Sequence, residues 1–261
     1  MEFEALAPSL LEQFLVGELF AFLLIFSRIG SALMIMPGIG EAYISPRIRL
    51  IVALSISLIL TATFSYMMPD APGSPITMFL LVIAEILVGL FFGFLTRLLV
   101  STLHVAGTII AYQSSLALAA FFDATQNAQS TVIGNFLTIS AVVLFFALDI
   151  HHLMLLGIAD SYTLFPPGQF PVTEDMAFFL MRTMSEVFEI AVQLSAPHIV
   201  FALVFYLGSG ILSRLMPNMQ VFFVLMPPQI VMGFIILLAV LQAILLHYSE
   251  FVENSLIAFL E

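Results

Sequence analysis

The chain has 261 residues, of which 62% are hydrophobic and only 9% charged, with a mean hydropathy of +1.16. An ordinary soluble domain carries about 25% charged residues, so this composition excludes a water-soluble globule and makes the bilayer the expected solvent. The six basic side chains are all Arg and the net charge is -11, which leaves no basic footprint for nucleic acid or for anionic headgroups.

At about 20 residues per crossing, this length allows six or seven membrane helices and no separate soluble domain. The expected fold class is therefore all-α, one polytopic module over residues 1–261. Cysteine is absent, which removes disulfides and thiolate chemistry. The acidic stretch Met1 to Glu12 lacks the basic start and small-residue cleavage site of a signal peptide, so no removable signal is read there.

The first apolar span runs from Phe14 to Met36, is interrupted by Glu18 and Arg28, and stops at Pro37-Gly38-Ile39-Gly40. The second, Ile48 to Met68, has no charge beyond Arg49 at its start and ends at Pro69-Asp70-Ala71-Pro72-Gly73, which cannot continue a helix. The third, Ile76 to Val100, contains Glu85 near its middle and Arg97 near its end, and the fourth is Val132 to Leu148. Asp149 to Asp175 reads as a polar, Pro-containing connection, and Met176 to Glu189 as an amphipathic helix with Arg182, Glu186 and Glu189 on one face. The last spans are Ile190 to Leu212 with Pro197, and Val221 to Tyr248 with Pro227-Pro228, and both are expected to kink. Placing both termini outside puts Arg47, Arg49, Arg97 and Arg214 on the cytoplasmic side, with Arg182 as the exception.

Charges at membrane depth are costly unless paired or hydrated, which singles out Arg28 and Glu85. A proton or ion relay is one reading of them. An ion pair or polar contact that sets helix packing is favoured, because no second acidic residue lies one turn from Glu85. Gly89-Leu90-Phe91-Phe92-Gly93 is a GxxxG motif, which lets two helix backbones approach closely within the chain or between subunits. Asp149-Ile150-His151-His152 gathers a carboxylate and two imidazoles, but adjacent histidines diverge by about 100° on a helix, and a polar helix end explains them better than a metal site. With no Ser-His-Asp, Walker or Gly-rich nucleotide pattern, neither an enzyme nor a cofactor is expected. The 14 Met and 27 Phe residues suit ordinary packing, or a soft seal around a pore. Thr108 to Ser130 mixes small and polar residues around Phe121-Phe122, and reads equally as a segment that occludes a pathway or as a long interfacial loop.

Five segments follow one another in order: Ser27-Arg28-Ile29-Gly30 through Met36 to Gly40, Ser45-Pro46-Arg47-Ile48-Arg49-Leu50, Gln113 to Asp123, Asp149 to His152, and Pro217-Asn218-Met219-Gln220-Val221-Phe222-Phe223. Together they resemble the pattern of the flagellar biosynthetic protein FliR family. The similarity covers residues 14 to 246, with short motifs in a specific order. It implies a non-enzymatic subunit of the type III export gate in the bacterial inner membrane at the flagellar basal body. FliP and FliQ would be its partners in a funnel-shaped channel for unfolded flagellar substrates, with FlhB wrapping the cytoplasmic side. It further implies that the hairpins rise largely out of the bilayer plane, and that the loop around 113–123 is a luminal plug beside a Met-rich gasket. Leu118, Phe121 and Phe122 would then occlude, while Gln113 and Asp123 hold the loop by polar contacts. Three positions depart from the family pattern: Ser115 stands where Gly is usual, Ala124 where Pro often follows the Asp, and Ile150 where Gly is usual. The competing readings are a stand-alone secondary transporter or ion channel using Glu85, and a virulence type III secretion subunit of the same superfamily.

Overall fold

The structure, a computed structural model, describes residues 2–117, 131–216 and 220–260. Among these, seven α-helices carry the fold: α1 (Glu2–Ile35), α2 (Pro46–Phe64), α3 (Pro75–Gln113), α4 (Val132–Ala147), α5 (Ile150–Leu164), α6 (Thr173–Leu215) and α7 (Val221–Leu260). A single 3-10 turn, Ser65–Met67, follows α2. Five helices are long and apolar enough to cross a membrane, or six crossings if α4 and α5 form one broken span. The all-α, polytopic class expected from composition is what the backbone adopts.

Several boundaries differ from the hydropathy reading. The helix α3 does not end at Val100 but runs on to Gln113, so Arg97 lies within it and not at its end. Ala, Leu and Ile between the polar residues keep a buried stripe going through Leu99, Leu103, Ala106 and Ile110. The supposed connection Asp149 to Asp175 is mostly helix α5. Ile150, Met154 and Ile158 recur every fourth residue there and are buried, a period that the flanking prolines and histidines had masked. The amphipathic segment and the fifth apolar span are one helix, α6, of 43 residues. It continues through Pro197, and α7 continues through Pro227-Pro228. At 1.5 Å per residue, α3, α6 and α7 are each about 60 Å long, twice a hydrocarbon core of roughly 30 Å. At ordinary tilts each extends well outside it.

The chain divides into two compact units. The first comprises residues 1–97, 151–181 and 259–261. Its core joins Leu24, Ile25, Ile29 and Leu33 of α1, Val88, Phe92 and Leu95 of α3, and Met154 and Tyr162 of α5. In α2, Ser45 caps the N-terminus by accepting from the Ile48 N–H, and Pro46 occupies the first turn, where its missing N–H costs nothing. Only Ala53, Ser57 and Thr61 of α2 are buried, a narrow stripe one residue wide. The hydroxyls of Ser57 and Thr61 each donate to the carbonyl four residues back, so this stripe buries no unpaired polar atom. The loop between α1 and α2 is tied down at Glu41, whose carbonyl accepts from Arg49 (2.7 Å) and whose carboxylate accepts from Arg97 (2.7 Å).

The second unit comprises residues 98–150 and 182–258. Here α3 and α4 cross at two glycines: a Cβ on Gly107 would lie 2.6 Å from the Gly134 Cα. Phe145 of α4 stacks on Tyr248 of α7, with ring centroids 6.2 Å apart. On α6, Ser195 donates to the Ala106 carbonyl of α3 (3.2 Å) as well as to Ala191 in its own helix.

Candidate functional site

Two polar constellations stand out in the interior, one in each unit. In the first, Arg28 (1% exposed) donates from Nε to Glu85 Oε2 at 2.6 Å, with Glu85 only 2% exposed. The guanidinium goes on to the end of α5. One terminal nitrogen donates to the carbonyl (2.9 Å) and hydroxyl (3.2 Å) of Ser161, and the other to the carbonyl of Phe165 (2.9 Å). It also lies over the Tyr162 ring, 4.1 Å from the centroid. Helix C-terminal carbonyls lack intrahelical donors and carry partial negative charge, so the end of α5 is a second counter-charge for Arg28. A cavity of about 100 Å³ adjoins the pair, bounded by Leu164, Phe165, Gln169 and Phe170, with room for about three waters. Within this unit, the pair joins three helices.

The glycine motif belongs to the same crossing. A Cβ added at Gly89 would collide with the Arg28 carbonyl and the Ser31 hydroxyl, and one at Gly93 would lie 2.7 Å from the Ala32 carbonyl. Glu85, Gly89 and Gly93 are spaced by four along α3 and face Arg28, Ser31 and Ala32 along α1. The motif therefore packs inside the chain, and the ion pair closes one end of its contact.

The second constellation surrounds the C-terminal end of α3. Ile110 C=O accepts from the Ser114 N–H (3.0 Å) and hydroxyl (2.7 Å), and Tyr112 C=O from the Ser115 N–H (3.3 Å). Gln113 C=O accepts from Gln229 Nε2 of α7 at 2.8 Å. That same amide nitrogen lies 3.3 Å from the Tyr206 hydroxyl of α6, and Gln229 is 2% exposed. One turn along α7, Gly233 leaves no room for a Cβ against the Ser114 Cβ, and its carbonyl accepts from His198 Nε2 (3.2 Å), which makes that nitrogen the protonated one.

Ser115 adopts φ 59°, a left-handed conformation that favours glycine, and its buried hydroxyl has no partner among the described residues. The position where the family pattern has Gly is thus a left-handed helix terminus, occupied here by a residue that is strained in it. At the third departure, Ile150, the positive φ falls on the preceding Asp149 (58°), and Ile150 begins α5 in ordinary helical conformation, while Ala124 lies outside the described residues. The neighbouring His151 and His152 rings are 4.1 Å apart.

Of the plug candidates, Gln113 lies at this helix end, whereas Leu118, Phe121, Phe122 and Asp123 lie outside the described residues. Sequence reasoning missed Gln229, an uncharged polar residue behind two prolines, which only its place in an apolar helix could have flagged. It also missed Gly107 and Gly134, which are single glycines without repeated spacing.

The chain matches the family model described as bacterial export proteins, family 1, over residues 19–255. It is 37% identical over 227 residues to the flagellar biosynthetic protein FliR of Caulobacter vibrioides, covering 87% of this chain and 90% of that one. It is 30% identical over 227 residues to the protein of the same name from Bacillus subtilis, covering 86% and 87%. With the Yop proteins translocation protein T of Yersinia pestis it shares 27% identity over 176 residues, 67% of each chain.

Proposed function

Because the chain belongs to the bacterial export proteins, family 1, we propose that it is a core subunit of the flagellar type III protein export gate, acting without catalysis of its own. It works in the bacterial inner membrane at the flagellar basal body, assembled with FliP and FliQ subunits into the channel that unfolded flagellar substrates traverse, with FlhB on the cytoplasmic side. The segment around 113–123 is the luminal plug, Leu118, Phe121 and Phe122 filling the passage while Gln113 and Asp123 anchor it. The observation that carries this reading is the near full-length similarity to two flagellar FliR proteins, in a chain whose described residues include five helices fit to cross a membrane. The Arg28–Glu85 pair supports a packing role over a relay, since Arg28 spends its donors on Glu85 and on the end of α5.

Co-expression with candidate FliP and FliQ proteins, detergent extraction and native mass spectrometry test the assembly. One copy of this chain in a large stable complex is the expected result. A lone monomer or homo-oligomer with no partner retained overturns it, and makes a transporter or channel using Glu85 the better reading. The likeness to the Yersinia translocation protein favours a second reading, a virulence secretion subunit. Restored swimming in a bacterium lacking its own FliR decides for the flagellar one.

A further inference from the structure

Every helix that ends in an apolar setting must find donors for its last carbonyls, because no water is at hand to supply them. At the end of α3 the carbonyls of Ile110 and Tyr112 are served locally, by Ser114 and Ser115. Gln113 is served from a distance of 116 residues, by the side chain of Gln229. That side chain is anchored on the rising part of α7 just after Pro227-Pro228, and Tyr206 of α6 meets the same nitrogen. A single buried amide therefore ties the end of α3 to α6 and α7 within the second unit, at the point where Ser115 turns left-handed and the chain leaves α3. Gln229 also borders a cavity of about 200 Å³ lined by Tyr206, Ser209, Ser213 and Leu225, so water has a place from which to compete for the bond.

From this geometry we infer that Gln229 is a positioning residue, whose Nε2–H donated to the Gln113 carbonyl fixes the direction in which the chain leaves α3. A donor is required at this position: a carbonyl can only accept, so an apolar side chain of similar size cannot replace it. In the assembled gate, loss of this bond frees the turn at 114–117 while the rest of the second unit stays packed. Increased leakage through the gate follows if the adjoining segment is the plug; that consequence rests on the plug assignment above, whereas the change at residues 114–117 does not.

The chain contains no cysteine, so single thiols report without a background. Ala117→Cys places one in the buried turn beyond Ser115, and Ala141→Cys places a control in the fully buried face of α4. Each is combined with Gln229→Leu and with Gln229→Met in membranes containing the assembled gate, and the rate of maleimide modification is measured together with ion leakage. Both Gln229 changes should raise labelling at position 117 by about tenfold, the factor to which loss of one such hydrogen bond corresponds, and leave position 141 unchanged. Tyr206→Phe, which keeps the Gln229–Gln113 bond, should alter labelling at 117 by less than about twofold. Unchanged labelling at 117 in both Gln229 variants overturns the inference, and so does a rise at 117 and 141 alike, which would mean general loosening. Raised labelling at 117 alone, without raised leakage, upholds the positioning role and removes the plug assignment instead.

Discussion

Arg28 reaches Glu85 across the crossing of α1 and α3 with a 2.6 Å hydrogen bond, yet only one of its nitrogens is committed there. The other two serve the last turn of α5. The two partners are therefore not equivalent. Glu85 has Arg28 as its charged partner, while Arg28 retains carbonyl acceptors and the Tyr162 face if the carboxylate is neutralised.

Removing the arginine should accordingly cost more than neutralising the acid. Arg28→Met leaves a buried carboxylate without its counter-charge and should destabilise the protein by about 3–5 kcal/mol. Glu85→Gln keeps an acceptor for Nε and should cost about 1–2 kcal/mol. The double replacement by Met should recover part of the Arg28→Met loss. Thermal denaturation of the detergent-solubilised gate checks the order; equal losses for the two single changes would show that the end of α5 contributes nothing to holding Arg28.

The glycine crossing makes a steric prediction with internal controls. Gly89→Ala drives a methyl group into the Arg28 carbonyl and should destabilise the helix pair by about 1–3 kcal/mol, and Gly89→Leu or Gly93→Leu should reduce the yield of assembled gate. Gly208→Ala and Gly210→Ala meet nothing within 4 Å and should be neutral or stabilising by up to about 1 kcal/mol. Native-size complexes in normal yield from the Gly89 and Gly93 leucine variants would contradict the contact.

Ser115 offers a change in the stabilising direction. A non-glycine residue at φ 59° with a buried, unpaired hydroxyl carries two separate penalties, and Ser115→Gly relieves both. The expected gain is about 1–2 kcal/mol, read as a higher midpoint of thermal unfolding. A lower midpoint would mean that the hydroxyl has a partner in the assembled gate.

The plug assignment is tested directly by replacing Phe121 and Phe122 together with Ala and following ion or small-dye leakage through the assembled gate. On that assignment leakage should rise while assembly is preserved, because two bulky rings would be taken out of the passage. An unchanged leak would take these side chains out of the seal.

Much of this architecture can be read from hydropathy because apolar length is set by the bilayer. What escapes is whatever depends on pairing at a distance. Arg28 and Glu85 announce themselves as charges inside apolar runs, but the acceptors on Ser161 and Phe165 sit in a segment whose prolines and histidines resemble a loop. The spacing of Gly89 and Gly93 is visible in the chain, whereas the meeting of Gly107 with Gly134 exists only once α3 and α4 cross. Gln229 is the hardest case: an uncharged amide has no periodicity, and its importance comes wholly from the carbonyl it meets. The left-handed turn at Ser115 was legible only through likeness to a family with Gly there, since Ser by itself gives no hint of positive φ.

Phe259 packs against Phe91, Phe92 and Phe179, closing an aromatic cluster in the first unit. This residue is added by the ribosome long after α1, α2 and most of the first unit, and the whole of the second unit is synthesised in between. Arg28 and Glu85 can meet early, but Ser161 and Phe165 arrive later, and the last aromatic ring later still. The earliest helices of this unit therefore wait in an incomplete state while the whole of the second unit is synthesised, and their exposed faces need shelter for that interval.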